Sequence, residues 1–152
     1  MTAPGPVQQA NLFHTGIVVD DLRAAMDELG DQLGVEWYEG GADVVLSTPA
    51  GHRRVTSAYA LSKEGPHHVE LAQSVAGTVW TAAAPGHAHH LGYWVDDVRA
   101  ASAELERLGS PLVAAVAMAE EAPPMCAYHR TRSGLFVEIV AKGLRRVLLP
   151  SS

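Results

Sequence analysis

The sequence predicts an α+β domain built from two tandem βαβββ halves, and three observations carry that prediction. The segment FHTGIVVDDLRAA at 13–25 returns as HHLGYWVDDVRAA at 89–101. His14, Gly16, Asp20, Asp21 and Arg23 recur at one constant offset as His90, Gly92, Asp96, Asp97 and Arg99, and a repeat of this kind decides the architecture before any local signal. The closing stretches also match: HVEL at 68–71 aligns with FVEI at 136–139. Between these anchors run short apolar, β-branched segments separated by glycine- and proline-rich turns, the pattern of strands.

The elements follow in order. Residues 1–10 read as a lead-in. LFHTGIVV at 12–19 suits a buried strand, with His14, Gly16 and Val18 on one face and Phe13, Thr15 and Ile17 on the other, turned towards a helix. Asp20 and Asp21 offer an N-cap, and Leu22, Ala25, Met26, Leu29 and Leu33 recur at helical spacing up to a C-cap glycine, Gly34. Strand character follows at 35–39, 42–48, 53–61 and 67–73, punctuated by Gly40-Gly41, Pro49-Ala50-Gly51 and Lys63-Glu64-Gly65-Pro66.

The first half spans 11–76, a connector 77–87 holds Gly77, Pro85 and Gly86, and the second half spans 88–143. In that second half, 88–95 reads as a strand with Asp96 or Asp97 as a cap. Val98, Ala101, Ser102, Leu105 and Leu108 form a helix face ended by Gly109, and strands follow near 112–118, 125–131 and 134–141. The tail LRRVLLPSS has no assignment. Neither half is large enough to close a core, so the two must pack together.

Composition narrows the function. The chain has 152 residues, 47% of them hydrophobic and 18% charged, which is globular rather than disordered. Seventeen acidic residues against eleven basic give a net charge of −6, which disfavours nucleic acid or an anionic membrane as partner. The N-terminus lacks a signal-peptide pattern and no apolar run is long enough to span a membrane. With one cysteine, Cys126, the expectation is a soluble, cytoplasmic protein.

Four residues occupy equivalent places in the two halves: His14 and Glu70, His90 and Glu138. Glu70 lies within HVELA and Glu138 within LFVEIV. A carboxylate in an apolar strand is costly to bury without a compensating cation, and two neutral imidazoles supply none. A divalent metal bound by all four does. A mixed nitrogen and oxygen set suits Zn, Ni, Co, Mn or Fe(II). Cys126 falls outside the set and is expected in the pocket or the core.

FHTGIVVDDLRAA, HHLGYWVDDVRAA and SGLFVEIV resemble the vicinal oxygen chelate superfamily, which joins glyoxalases, bleomycin-resistance proteins and ring-cleaving dioxygenases, over about residues 12–142. The resemblance implies a curved mixed sheet around one divalent metal, with His14, Glu70, His90 and Glu138 as ligands, and a homodimer. The set looks most like that of glyoxalase I and methylmalonyl-CoA epimerase. It implies a metal-dependent lyase or isomerase that works through a metal-stabilised enolate of a carbonyl substrate, by isomerisation, epimerisation or aldol-type cyclisation, with polyketide tailoring among the outcomes. The alternatives are an antibiotic-binding resistance protein and an Fe(II) ring-cleaving dioxygenase.

Glu138 or Glu70 is the expected base, and His68, on the Glu70 face, a supporting acid or base. Trp94, Tyr59, Phe136, Trp37 and Tyr38 are candidates to line an aromatic cup for a flat or apolar small-molecule substrate. Arg54, with Arg53, is a candidate for an anionic group, and Tyr128, with Arg130, borders the pocket. His67, His87, His89 and His129 are expected on the surface or in loops.

Overall fold

The paired aspartates of each repeat start its helix. In the computed structural model, which describes Gly5, residues 7–82 and residues 87–151, Asp21 accepts a hydrogen bond from the Ala24 amide at 3.0 Å. Asp97 accepts one from the Ala100 amide at the same distance. Each aspartate thereby satisfies an amide that the first helical turn leaves unpaired. The helices run over Leu22–Leu33 (α1) and Val98–Arg107 (α2). Gly34, at φ 69°, ends α1 in the left-handed conformation that glycine adopts freely. Each helix buries a narrow stripe: Met26 of α1 against Ala60 and Leu71, and Val98 and Ala101 of α2 against Ala127 and Ile139.

Eight strands complete the two halves. They are β1 (Leu12–Val19), β2 (Trp37–Thr48), β3 (Gly51–Ser62) and β4 (His68–Gln73), then β5 (His90–Val95), β6 (Leu112–Ala117), β7 (Cys126–Arg130) and β8 (Phe136–Ala141). They close into a barrel in the order β1-β4-β3-β2-β6-β7-β8-β5. Each half contributes one parallel pair, β1 with β4 and β5 with β8, in the same register: Gly16 faces Glu70 and Gly92 faces Glu138. The halves meet through two antiparallel pairs, β1 with β5 and β2 with β6. Closure removes the unpaired edges that either half alone would expose. An eight-stranded barrel leaves an interior just wide enough for side chains or one small ligand.

Three local expectations are corrected. Residues 35–39 and 42–48 do not form two strands; Gly40 and Gly41 stay in register with Tyr59 and Ala58, and β2 is continuous. The glycines clear space instead of making a turn: a Cβ on Gly40 would fall 2.3 Å from the Tyr59 hydroxyl oxygen. Phe13 does not face α1. The register of β1 against β5 slips between Leu12 and His14, a β-bulge that puts neighbouring residues on one side. Ile17, beyond the bulge, keeps its predicted contact with the α1 cluster. Finally, the unassigned tail forms a 3-10 turn (Lys142–Leu144) and a short helix α3 (Arg145–Leu148), followed by Leu149, which is fully buried.

The described part of the connector turns back into the barrel. The Val75 amide donates to the Trp80 carbonyl at 2.9 Å, and Trp80 is buried in the interior cluster with Val44, Val116 and Tyr128. Residues 1–4 and 6 of the expected lead-in, and Pro85 and Gly86 of the expected connector, lie outside the described residues. No helix among the described residues is long and apolar enough to cross a membrane.

Candidate metal centre

Because β1 and β5 pair antiparallel, each repeat histidine lands opposite the other repeat's glycine: His14 opposite Gly92, and His90 opposite Gly16. Each imidazole lies over that glycine. A Cβ on Gly92 would sit 1.9 Å from His14 Cε1, and one on Gly16 would sit 2.1 Å from His90 Cε1. Neither glycine has a positive φ, so space is the reason for both. The H-x-G element of the repeat therefore works across the two halves: each half supplies one ring and the gap for the other ring.

This packing brings the two Nε2 atoms to 3.0 Å. Glu70 and Glu138 enter from the parallel neighbours β4 and β8. Glu138 Oε1 lies 3.0 Å from His14 Nε2 and 3.3 Å from His90 Nε2. Glu70 Oε1 lies 3.1 Å from His90 Nε2 and 3.7 Å from His14 Nε2. One potential ligand atom from each of the four residues falls within 4.8 Å of all the others. All four come from a single chain.

The donor set fits a divalent ion on three counts. Nitrogen and oxygen ligands about 2.0–2.2 Å from a common ion stand about 3.0–3.5 Å apart, close to the spacings found. Glu138 Oε1 is buried and, although close to both imidazoles, has no hydrogen bond of good geometry among the described residues. Two carboxylates, Glu138 buried and Glu70 partly buried, match the charge of a 2+ ion. Without the ion a proton must serve instead. Burial pulls the His90 pKa down, but Glu138 and Glu70 outweigh it and push it up to about 10. Burial pushes the Glu138 carboxyl up, yet the charge on His90 and the close approach of both imidazoles hold it well below its ordinary 4.5.

Three of the four side chains border a cavity of about 240 Å³, and His90 stands behind them. His14, Glu70 and Glu138 lie in its wall, and Phe13, Val44, Trp80, Val116, Met125 and Val140 are among the apolar residues that line the rest. Among the described residues, no lysine or arginine lines it. Two phenols reach it, Tyr59 from β3 and Tyr128 from β7. Burial and then the nearby glutamates raise the pKa of both, Tyr59 to about 12, so both keep their protons. Trp80 Nε1 donates to the Tyr128 hydroxyl at 3.0 Å. The tyrosine's own proton has no protein acceptor among the described residues, and the cavity is where it can donate. Cys126 also borders the cavity; burial and Glu138 raise its pKa well above the ordinary value, which leaves a protonated thiol and a poor nucleophile.

The remaining candidates fall elsewhere. Trp94 stacks on Phe13 at 3.7 Å between ring centroids and packs with Leu61, Val140 and Leu149; the bulge that brings Phe13 to the cavity wall leaves Trp94 behind it. Phe136 sits beyond the histidines, against His89 and beneath Arg130. Trp37 turns to the outer face, where its Nε1 donates to the Met26 carbonyl of α1. Arg54 is exposed and borders a separate shallow pocket with Glu120 and Glu121. His68 is buried with its Nδ1 on the Ser62 carbonyl at 2.6 Å, so it braces the turn before β4 and does not line the cavity. Nor are His89 and His129 loop or surface residues: both are buried, and His129 is held between Ser102 of α2 and the Ser110 carbonyl.

Sequence reasoning missed Trp80 and the tail residues Leu144, Val147 and Leu148, all of which line the cavity. The tail carried a usable signal, since these three fall at i, i+3 and i+4, one face of a helix.

With this geometry in view, comparison with known proteins places the fold. The Glyoxalase/Bleomycin resistance protein/Dioxygenase superfamily matches residues 13–128, and the chain belongs to it. Among solved structures, the chain is similar to methylmalonyl-CoA epimerase from Mycobacterium tuberculosis, with a TM-score of 0.60 and 18% identity, covering 93% of this chain and 92% of that one. A variant of the Streptomyces coelicolor methylmalonyl-CoA epimerase, in complex with 2-nitronate-propionyl-CoA, gives a TM-score of 0.60 and 16% identity over 86% and 93%. A hypothetical protein from Bacillus halodurans gives 0.56 and 17% over 86% and 93%. No curated protein matches the sequence.

Proposed function

We propose that this protein is a metal-dependent isomerase or lyase that removes and returns a proton beside the carbonyl of an uncharged, largely apolar substrate. One observation carries the reading: two histidines and two glutamates converge on a single point in the wall of an apolar cavity. A divalent ion held by His14, Glu70, His90 and Glu138 would supply a Lewis acid beside the substrate oxygen.

The residues of the chain supply the rest. Glu138 and Glu70 are the carboxylates within reach of a substrate carbon, and a positioned base of this kind contributes about 10²–10⁴-fold. The Tyr128 hydroxyl, accepting from Trp80, donates to a second substrate oxygen, and Tyr59 offers another donor from the opposite strand pair. The apolar wall excludes water, which strengthens each of these contacts. Two of the solved structures of like fold are methylmalonyl-CoA epimerases, and methylmalonyl-CoA carries an anionic carboxylate. With no lysine or arginine in the wall, this cavity favours a neutral arm instead.

Metal content of the purified wild type and of Glu138→Ala is the first test. The wild type is expected to hold one equivalent of divalent metal and the variant much less. Deuterium uptake from D₂O into neutral ketones should follow the metal and be lost in Glu138→Gln. A wild type that cannot be loaded with any divalent ion would defeat the proposal. Loading without exchange across a broad ketone panel would instead turn the reading towards sequestration of an apolar ligand.

A further inference from the structure

The two histidines of the centre are not equivalent, and the difference lies behind them. His14 Nδ1 is buried and has no hydrogen-bond partner among the described residues. His90 Nδ1 lies 2.8 Å from Nδ1 of His89. Nε2 of His89 in turn lies 2.8 Å from the Val79 carbonyl oxygen, in the connector segment that enters the barrel. The His89 amide donates to the Gly16 carbonyl at 2.7 Å, which anchors the residue to β1. His89 is buried at 9% exposure.

The proton positions follow from these contacts. A carbonyl oxygen only accepts, so His89 Nε2 must carry a proton. A neutral imidazole with a proton on Nε2 has a lone pair on Nδ1. His90 Nδ1 must then carry the proton in the contact between the rings, because two lone pairs cannot face each other at 2.8 Å. A neutral His90 protonated on Nδ1 presents its lone pair from Nε2, the atom that faces His14, Glu70 and Glu138.

From this we infer that His89 is a positioning residue for the metal centre: the chain Val79 carbonyl, His89, His90 fixes the tautomer and orientation in which His90 can ligate. The inference rests on the metal reading above. It gives the connector a role in the site, since Val79 supplies the acceptor that orders the whole chain. It also assigns His90 as the histidine whose Nδ1 is held from behind, and His14, over Gly92, as the one whose Nδ1 has no such partner among the described residues. The His-His pair at 89–90 is thus one ligand and its support, where the first half has Phe13 and His14.

The test compares wild type, His89→Leu and His89→Asn, whose side-chain oxygen can stand where Nδ1 stood and accept from His90. Zn(II) affinity is measured by competition with a chromophoric chelator, and the ring protons by ¹⁵N NMR. Loss of an orienting partner weakens metal binding about 10–100-fold, so His89→Leu should fall in that range and His89→Asn should recover most of the affinity. His129→Leu, which empties a buried histidine site away from the centre, should lower the melting temperature without changing Zn(II) affinity. In Zn(II)-loaded wild type, His90 should carry its proton on Nδ1, facing His89.

Equal Zn(II) affinity for wild type and His89→Leu would overturn the inference, as would a His90 whose Nδ1 bears no proton. A wild type that binds no metal would defeat the metal reading instead.

Discussion

Replacing Gly92 with alanine should disable the metal centre without touching a ligand. The new Cβ would stand 1.9 Å from His14 Cε1, 2.2 Å from its Nδ1 and 2.5 Å from its Nε2. Ordinary carbon contacts lie at about 3.5 Å, so the ring must retreat by about 1.5 Å. Ligand positions in a metal site tolerate about 0.2 Å, so His14 leaves the set. The affinity loss should exceed the roughly 10–100-fold that follows removal of an outer partner, because a ligand itself is displaced. Overpacking of this kind costs about 1–3 kcal/mol of stability, so the variant should still fold. Zn(II) competition titration reads the first effect and urea denaturation the second. Gly143→Ala, where a Cβ meets nothing within 4 Å, is the control. Wild-type Zn(II) affinity in Gly92→Ala would refute the reasoning that the glycines of the repeat exist to seat the histidines.

Further outcomes follow from the same contacts. Tyr128→Phe leaves the buried Trp80 N–H without its acceptor, a loss of about 1–3 kcal/mol; Trp80→Phe in the same background should recover part of it, and additive effects in denaturant would argue against the pairing. The metal-free protein should lose stability on the alkaline side. The raised pKa of His90, about 10 against 6.5, gives stability that is complete below pH 6.5 and lost between 6.5 and 10. The depressed Glu138 gives stability present above 4.5 and lost on acidification. Thermal melts of metal-free protein should therefore peak between pH 4.5 and 6.5, and a flat alkaline limb would count against a charged pair. Zn(II) affinity should rise with pH over the same alkaline range, because the ion displaces the His90 proton. Leu149→Ala should cost about 2–5 kcal/mol by emptying the site that anchors the tail, and a change below 1 kcal/mol would show that the tail is not held there.

The two-part plan of the fold was written in the sequence because a repeat survives wherever both copies do the same work. Asp21 and Asp97 cap equivalent helices, and Glu70 and Glu138 stand opposite equivalent glycines. Strand alternation and a charge argument then sufficed to group His14, Glu70, His90 and Glu138. Neither alternation nor charge could tell which residues share one cavity wall, since that depends on contacts between strands far apart in the chain. The bulge at Leu12–His14 overturned alternation for Phe13 and so removed Trp94 from the wall. Gly40 and Gly41 read as a turn because local chemistry does not record that, on the neighbouring strand, Tyr59 needs the space over Gly40 and the Ser57 carbonyl the space at Gly41. His89 read as a loop residue because its partners, Val79 and His90, meet it only once the connector has entered the barrel. The sequence by itself determined the doubled βαβββ plan and the four converging side chains, both of which follow from periodicity and repetition. Only the tertiary structure decided the size and apolar character of the cavity, the proton order along Val79, His89 and His90, and the tail that completes the wall. Each of those is a property of barrel closure, which sets side by side residues that no local pattern connects.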